Sequence, residues 1–221
     1  KEQVYLYLGD LLPGINSPDA PALEVANSIL SSRLGLNLRE KKGLAYSVGS
    51  SVNFDKDFSW FIASIGTRPK NYKEALDGIL NEMNQLKENP VNENELETAK
   101  NSLWGNLIFY RLSRINQAYY MGVNEFLGAG YDYDEKHLEK IRAVTKEQVK
   151  DIEQKYLDTK NYVLSVVGGA QGVVAGSQVT CASSKREINP APPHTDRNNK
   201  IPSAYEIHDN YMPNNLPNKS L

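Results

Sequence analysis

Arg39 and Tyr46 are the two residues of this sequence best placed to do chemistry. They flank Gly43 in the run Ser31-Ser32-Arg33-Leu34-Gly35-Leu36-Asn37-Leu38-Arg39-Glu40-Lys41-Lys42-Gly43-Leu44-Ala45-Tyr46-Ser47-Val48. That run leaves a predicted helix, passes a basic turn and enters a predicted strand. A guanidinium offers a rigid fork of N–H donors, and a phenol offers one O–H. Two such donors at a loop–strand junction suit a carbonyl or a carboxylate. A hydrogen bond to a charged group contributes about 1.5–3 kcal/mol. A donor aimed at a developing oxyanion changes a rate about 10²–10³-fold. Gly43 permits the tight turn that would bring both side chains to one cleft. A plainer reading stands beside this one: Arg39 covers a helix end and Tyr46 is a half-buried strand aromatic.

Other chemistries find little support. The chain has three histidines, His137, His194 and His208, and no two are spaced to share a helix face as zinc ligands. No metal site is therefore expected in this chain. His137 lies in Lys136-His137-Leu138-Glu139, on a mostly charged helix, and reads as solvated. Cys181 has no local base, and no Gly-x-Ser-x-Gly elbow occurs. Gly168-Gly169-Ala170-Gln171-Gly172 leads into no helix, so it reads as no phosphate cradle. Glu93, Glu95 and Glu97 read as an acidic first turn matched to the helix dipole.

The chain of 221 residues, at net charge -2, is long enough for one sizeable core plus a tail. The near-neutral balance gives no electrostatic case for nucleic acid or an anionic membrane surface. No apolar run reaches bilayer-spanning length. The sequence begins at Lys1 and reads as a processed product or a fragment, which leaves any targeting segment unseen. A single cysteine excludes an internal disulfide.

Several elements must position the Arg39–Tyr46 run. Val4–Leu8 reads as a strand and residues 9–20, with Pro13, Gly14 and Pro18, as a loop. Ser17 or Asp19 is placed to cap a helix carrying Leu23, Ala26, Leu30 and Leu34. Ala45–Asn53 and Trp60–Gly66 pair as a hairpin through Asp55-Lys56-Asp57. Alternation puts Tyr46, Val48, Ser50 and Val52 on one face, and Ala45, Ser47, Gly49 and Ser51 on the other. The small residues of the second face call for a close neighbour, a helix in preference to an extended peptide. A helix over residues 72–87 carries the stripe Tyr72, Ala75, Leu76, Ile79, Met83 and Leu86. One long helical region follows over residues 93–126, with Gly105 and Gly122 as bend points. Two short helices come next, residues 133–141 and 146–156, the second with Thr145 and Gln148 as a capping box. A strand over residues 161–168 is apolar enough to lie inside a sheet. Beyond Gly169 composition changes: six of the eleven prolines fall after Gln171. Residues 1–169 thus read as one domain and residues 170–221 as tail or linker, with residues 204–212 able to dock. The order predicts an α+β two-layer domain, a mainly antiparallel sheet covered by helices.

The ordered motifs resemble the M16 family of zinc metallopeptidases, the pitrilysin and mitochondrial-processing-peptidase group. Ile29-Leu30-Ser31-Ser32-Arg33-Leu34 is similar to its helix ending in Ser-Arg-Leu. Leu38–Val48 is similar to its LREKxGLAYSV run, Val91–Lys100 to its vteeELexAK helix start, and Val144–Val149 with Val163–Gly169 to its closing helix and strand. The resemblance covers residues 3–169 and implies the LuxS/MPP-like metallohydrolase fold. The family pairs two such domains around a chamber. One carries His-x-x-Glu-His and zinc; the other lacks it and supplies an Arg and a Tyr spaced as Arg39 and Tyr46 are. The missing metal motif matches this chain to the zinc-free, C-terminal-type domain.

The resemblance thus implies a non-catalytic, peptide-binding domain that completes a metalloendopeptidase site through Arg39 and Tyr46. Zinc would sit on a catalytic partner domain, on the same polypeptide or on a second subunit of a heterodimer or homodimer. The chain alone is expected to hold no cofactor and cleave nothing. The alternatives are an inert structural subunit with the same fold, as the family includes, and a free peptide-binding module. A periplasmic or mitochondrial location would suit the family.

Overall fold

A computed structural model describes residues 3–168 and 178–181. Among these, five strands form one antiparallel sheet: β1 (Val4–Pro13), β2 (Ala45–Asn53), β3 (Phe58–Thr67), β4 (Val163–Val167) and β5 (Gln178–Cys181), in the order β2-β3-β1-β4-β5. Six α-helices accompany them: α1 (Ala20–Leu34), α2 (Tyr72–Glu88), α3 (Glu93–Tyr110), α4 (Arg114–Phe126), α5 (Tyr133–Ala143) and α6 (Lys146–Tyr156). The α+β two-layer reading holds.

Strand alternation builds the core. Val4, Leu6, Leu8 and Leu12 of β1, Phe61, Ala63 and Ile65 of β3, and Leu164 and Val166 of β4 are all buried. They meet Leu23, Ala26, Leu30 and Leu34 of α1 and Ala75, Ile79, Met83 and Leu86 of α2 in one cluster. The intervening residues form the opposite face, where Tyr5, Tyr7, Leu11, Phe58, Trp60 and Val167 are exposed. Tyr5 covers Gly66, where a side chain would come within 2.9 Å of its ring. One face of the sheet is thus dry, and the other is an open, aromatic-rich surface.

Several elements differ from expectation. The strand expected to end at Leu8 runs to Pro13, with Gly9 opposite Ile62 and Pro13 opposite Phe58. Gly9 is needed within the strand, because a Cβ there would lie 3.1 Å from the Phe61 carbonyl oxygen. Pro13 closes the strand, where a missing N–H is tolerated. The helix expected over residues 93–126 is two helices, and neither Gly105 nor Gly122 breaks it. The interruption falls at Arg111–Ser113, where the Ser113 hydroxyl caps α4 by accepting from Asn116 N–H at 3.1 Å. Asp19 occupies the cap position of α1 without capping it. Its carboxylate instead accepts from Lys155 Nζ at 2.6 Å and Tyr156 OH at 2.7 Å, tying α1 to α6. Ser17 Oγ accepts from Asp19 N–H. The Thr145–Gln148 capping box is present.

His137 is not solvated. It is 8% exposed, its Nε2 is hydrogen-bonded to Glu24 at 2.5 Å, and the Tyr133 ring stacks on it at 4.8 Å. The pair joins α5 to α1 across a sequence gap that no local pattern reveals. The strand at residues 163–167 is interior, between β1 and β5. β5 lies beyond Gly169, in the stretch read as tail, and the first compact unit runs through Ser184. The reading of residues 204–212 as a docking segment, and both His194 and His208, fall outside the described residues.

Glu153 of α6 is fully buried, and neither carboxyl oxygen has a hydrogen-bond partner among the described residues. Burial raises its pKa from 4.5 to about 8, partly offset by Arg33 and Lys87 and reinforced by Glu95. The folded chain therefore keeps a proton that the unfolded chain releases above pH 4.5. Stability from this group is full below that pH and falls as pH rises to about 8. Glu153→Gln should flatten the fall in melting temperature over this window. A slope unchanged in the variant would remove Glu153 as its source. The groups with lowered pKa, Asp19 beside Lys155 and Glu95 beside Arg33, act in a separate, acidic window.

Candidate functional site

The run from Ser31 to Val48 is held at several points, and each hold explains a residue in it. Ser31 Oγ accepts from Ser50 N–H at 3.2 Å, while Asn27 Nδ2, one turn earlier, donates to the Ser50 carbonyl. α1 thereby closes the outer edge of β2 at Ser50, which guards a terminal strand against unwanted pairing. Gly49 allows the approach: a Cβ there would lie 3.1 Å from Ser31 Oγ. The close helix expected on the small-residue face is met at Gly49, but Ser47 and Ser51 remain exposed. Ala45, Val48 and Val52 are the β2 residues packed against the core.

Arg33 donates to both carboxylate oxygens of Glu95, at 2.8 and 3.0 Å. Glu95 also completes a capping box with Asn92 at the start of α3. The acidic first turn of α3 is therefore more than a dipole match: one carboxylate caps its own helix and anchors the end of α1. The signal for this was the Asn92-x-x-Glu95 spacing, which the sequence reading did not use.

After Leu34 the helix widens into a π-helical turn, Gly35–Lys41. Such wide turns cluster at functional sites. Leu38 is fully buried and points at Gly78 of α2, where a Cβ would come within 2.7 Å of it. Asn37 Nδ2 donates to Glu82 of α2 at 2.8 Å. These two anchors fix the turn on α2 and leave Arg39 outside, with its side chain 51% exposed. Its ion pair with Glu40, at 3.3 Å, is a surface contact that contributes little and exchanges readily. Gly43, at φ 60°, ends the turn. Leu44 N–H donates to the Leu38 carbonyl at 2.9 Å, and the buried Thr67 hydroxyl donates to the Leu44 carbonyl at 2.5 Å.

Tyr46 follows at a β-bulge. Ala45 pairs with Thr67 and Ser47 with Gly66, so Tyr46 is an extra residue in the ladder. The bulge removes it from the Val48–Ser50–Val52 face on which simple alternation places it. Bulges re-aim side chains in this way. Tyr46 is 56% exposed, and its hydroxyl has no hydrogen-bond partner among the described residues. Arg39 and Tyr46 thus emerge at the same end of β2, each on a non-standard backbone element held by buried neighbours. No hydrogen bond joins them directly.

Such an arrangement can bind and orient. The two donors suit backbone carbonyls or a carboxylate. Among the described residues no group of three or more His, Cys, Asp or Glu is placed to hold a metal ion. No described helix is long and apolar enough to cross a membrane.

Residues 1–103 match the family model of the peptidase M16 inactive domain. An uncharacterised zinc protease of Mycobacterium leprae is 29% identical over 171 residues, which is 76% of this chain and 38% of that protein. The peptidase M16 inactive domain from Pseudomonas fluorescens superposes with a TM-score of 0.68 at 26% identity, covering 75% of this chain and 41% of that one. The fold also matches the inactive peptidase domain of a zinc protease from Bordetella parapertussis, TM-score 0.66 and 18% identity, covering 76% of this chain and 93% of that one. The chain spans about two-fifths of the length of its first curated relatives. The first 103 residues of this chain thus resemble the M16 inactive domain, and its α+β sheet is the fold seen in inactive domains of zinc proteases.

Proposed function

We propose that this domain binds peptide and completes the cleavage site of an M16 zinc metalloendopeptidase, with Arg39 and Tyr46 holding the substrate backbone. The observation that carries the reading is the placement of these two donors, exposed on a π-helical turn and a β-bulge that buried anchors hold in place. An anchored backbone limits the freedom that has to be lost on binding, which is what orientation of a reacting group requires. The adjoining aromatic face, with Tyr5, Tyr7 and Trp60 exposed, offers apolar contact for side chains of an extended substrate. Zinc on the partner domain supplies the hydrolytic nucleophile when bound. Arg39 donates to substrate carbonyl oxygen or a nearby carboxylate, and Tyr46 places its O–H against charge developing at the scissile carbonyl.

Reconstitution tests this. The chain alone is expected to bind no stoichiometric zinc and to cleave no peptide. Added to the zinc-bearing domain of its enzyme, it should restore cleavage that the zinc domain lacks by itself. A zinc domain equally active with and without this chain contradicts the proposal and favours a structural role.

A further inference from the structure

Helix α4 presents an apolar stripe to solvent. The helix buries a single residue, Asn124. Ile115, Tyr119, Gly122 and Phe126 recur at intervals of four, three and four on the side opposite Asn124. Ile115 is 82% exposed and Phe126 83%, and Leu112, just before the helix, continues the stripe. A helix of 13 residues is marginal in water on its own. The described contacts hold this one by its other side, where Asn124 Nδ2 donates to Asp134 at 3.0 Å and Arg111 lies over the Tyr120 ring, and leave the stripe exposed. An exposed apolar stripe of this kind marks a protein contact.

The charges identify the neighbour. Between its ends α4 carries no charged residue; Arg114 begins it and Glu125 nearly ends it. They stand about three turns apart, and so on the same flank of the stripe. When two helices pack antiparallel about a two-fold axis, like flanks meet. A second copy of α4 in that orientation brings Arg114 within side-chain reach of Glu125 on both sides of the axis. The same register sets Ile115 against Phe126 and lays Tyr119 over Gly122. Gly122 leaves that space: a Cβ there meets nothing within 4 Å. One Glu125 oxygen accepts from Tyr131 N–H at 3.0 Å, and a carboxylate has capacity for another donor.

We infer that α4 is a self-association surface, on which a second copy of this chain packs antiparallel. The inference is independent of the peptide-binding role. Sedimentation equilibrium of the full chain, from low micromolar to a few hundred micromolar, should show a concentration-dependent dimer. Gly122→Gln supplies a better helix former but fills the gap under Tyr119; it should keep the helical circular dichroism and weaken the dimer at least about 10-fold. Arg114→Glu and Glu125→Arg should each dissociate the homodimer, because each sets like charges together twice. An equimolar mixture of those two variants should associate again, since both pairs are then opposite in sign. A chain that stays monomeric throughout, a dimer indifferent to Gly122→Gln, or a mixture no tighter than either variant overturns the inference.

Discussion

Phe61→Ala is expected to destabilise the domain by about 3–5 kcal/mol, the usual cost of removing a fully buried aromatic ring. Phe61 is 1% exposed and lies on β3 between Asp10 of β1 and Val52 of β2. Its ring points into the layer between sheet and helices, where dense packing on several sides prevents the gap from collapsing. A domain of this size is stable by about 5–15 kcal/mol, so the loss is a large share of the total. Trp60, its neighbour, faces the open side and is 40% exposed. Trp60→Ala should cost less than half as much, despite the larger ring. Denaturant midpoints, at unchanged slope, measure both. Equal costs would mean that the aromatic face is covered within this chain.

Tyr46→Phe and Arg39→Ala should each slow peptide cleavage by the assembled enzyme without unfolding the domain. Both side chains are more than half exposed, and among the described residues Arg39 pairs only with the neighbouring Glu40 at the surface. Folding therefore depends little on either. Losing an Arg39 hydrogen bond to substrate, at about 1.5–3 kcal/mol, corresponds to a loss of roughly 10- to 150-fold. Losing a donor to the developing oxyanion costs about 10²–10³-fold. The split between constants distinguishes the roles. A residue that only binds substrate raises KM at constant kcat, whereas one acting in the transition state lowers kcat. Arg39→Ala is expected to act mainly on KM and Tyr46→Phe on kcat.

Much of this arrangement was legible in the sequence because local rules carried it. Leu23, Ala26, Leu30 and Leu34 keep helical spacing over a whole helix, and all four are buried. Thr145 and Gln148 state a cap within four residues. What escaped was set by distant partners. Gly9 and Pro13 look like turn punctuation until β3 pairs along them. His137 looks solvated until Glu24, on another helix, meets its ring. The same holds at the site. Residue type and family resemblance single out Arg39 and Tyr46 as candidates, but they do not give the face of Tyr46. Strict alternation cannot register a bulge that exists only because Ala45 and Ser47 take consecutive partners on β3. Nor does sequence show that Leu38 and Asn37 grip α2 and so leave Arg39 at the surface.

The central claim is that Arg39 and Tyr46 form the substrate-holding half of a site whose metal lies on another domain. The most direct measurement is kcat/KM of the assembled enzyme carrying Arg39→Ala and Tyr46→Phe together, with zinc content determined on the same sample. The expected result is a fall of at least about 10²-fold with zinc unchanged. Wild-type turnover in that double variant would contradict the claim.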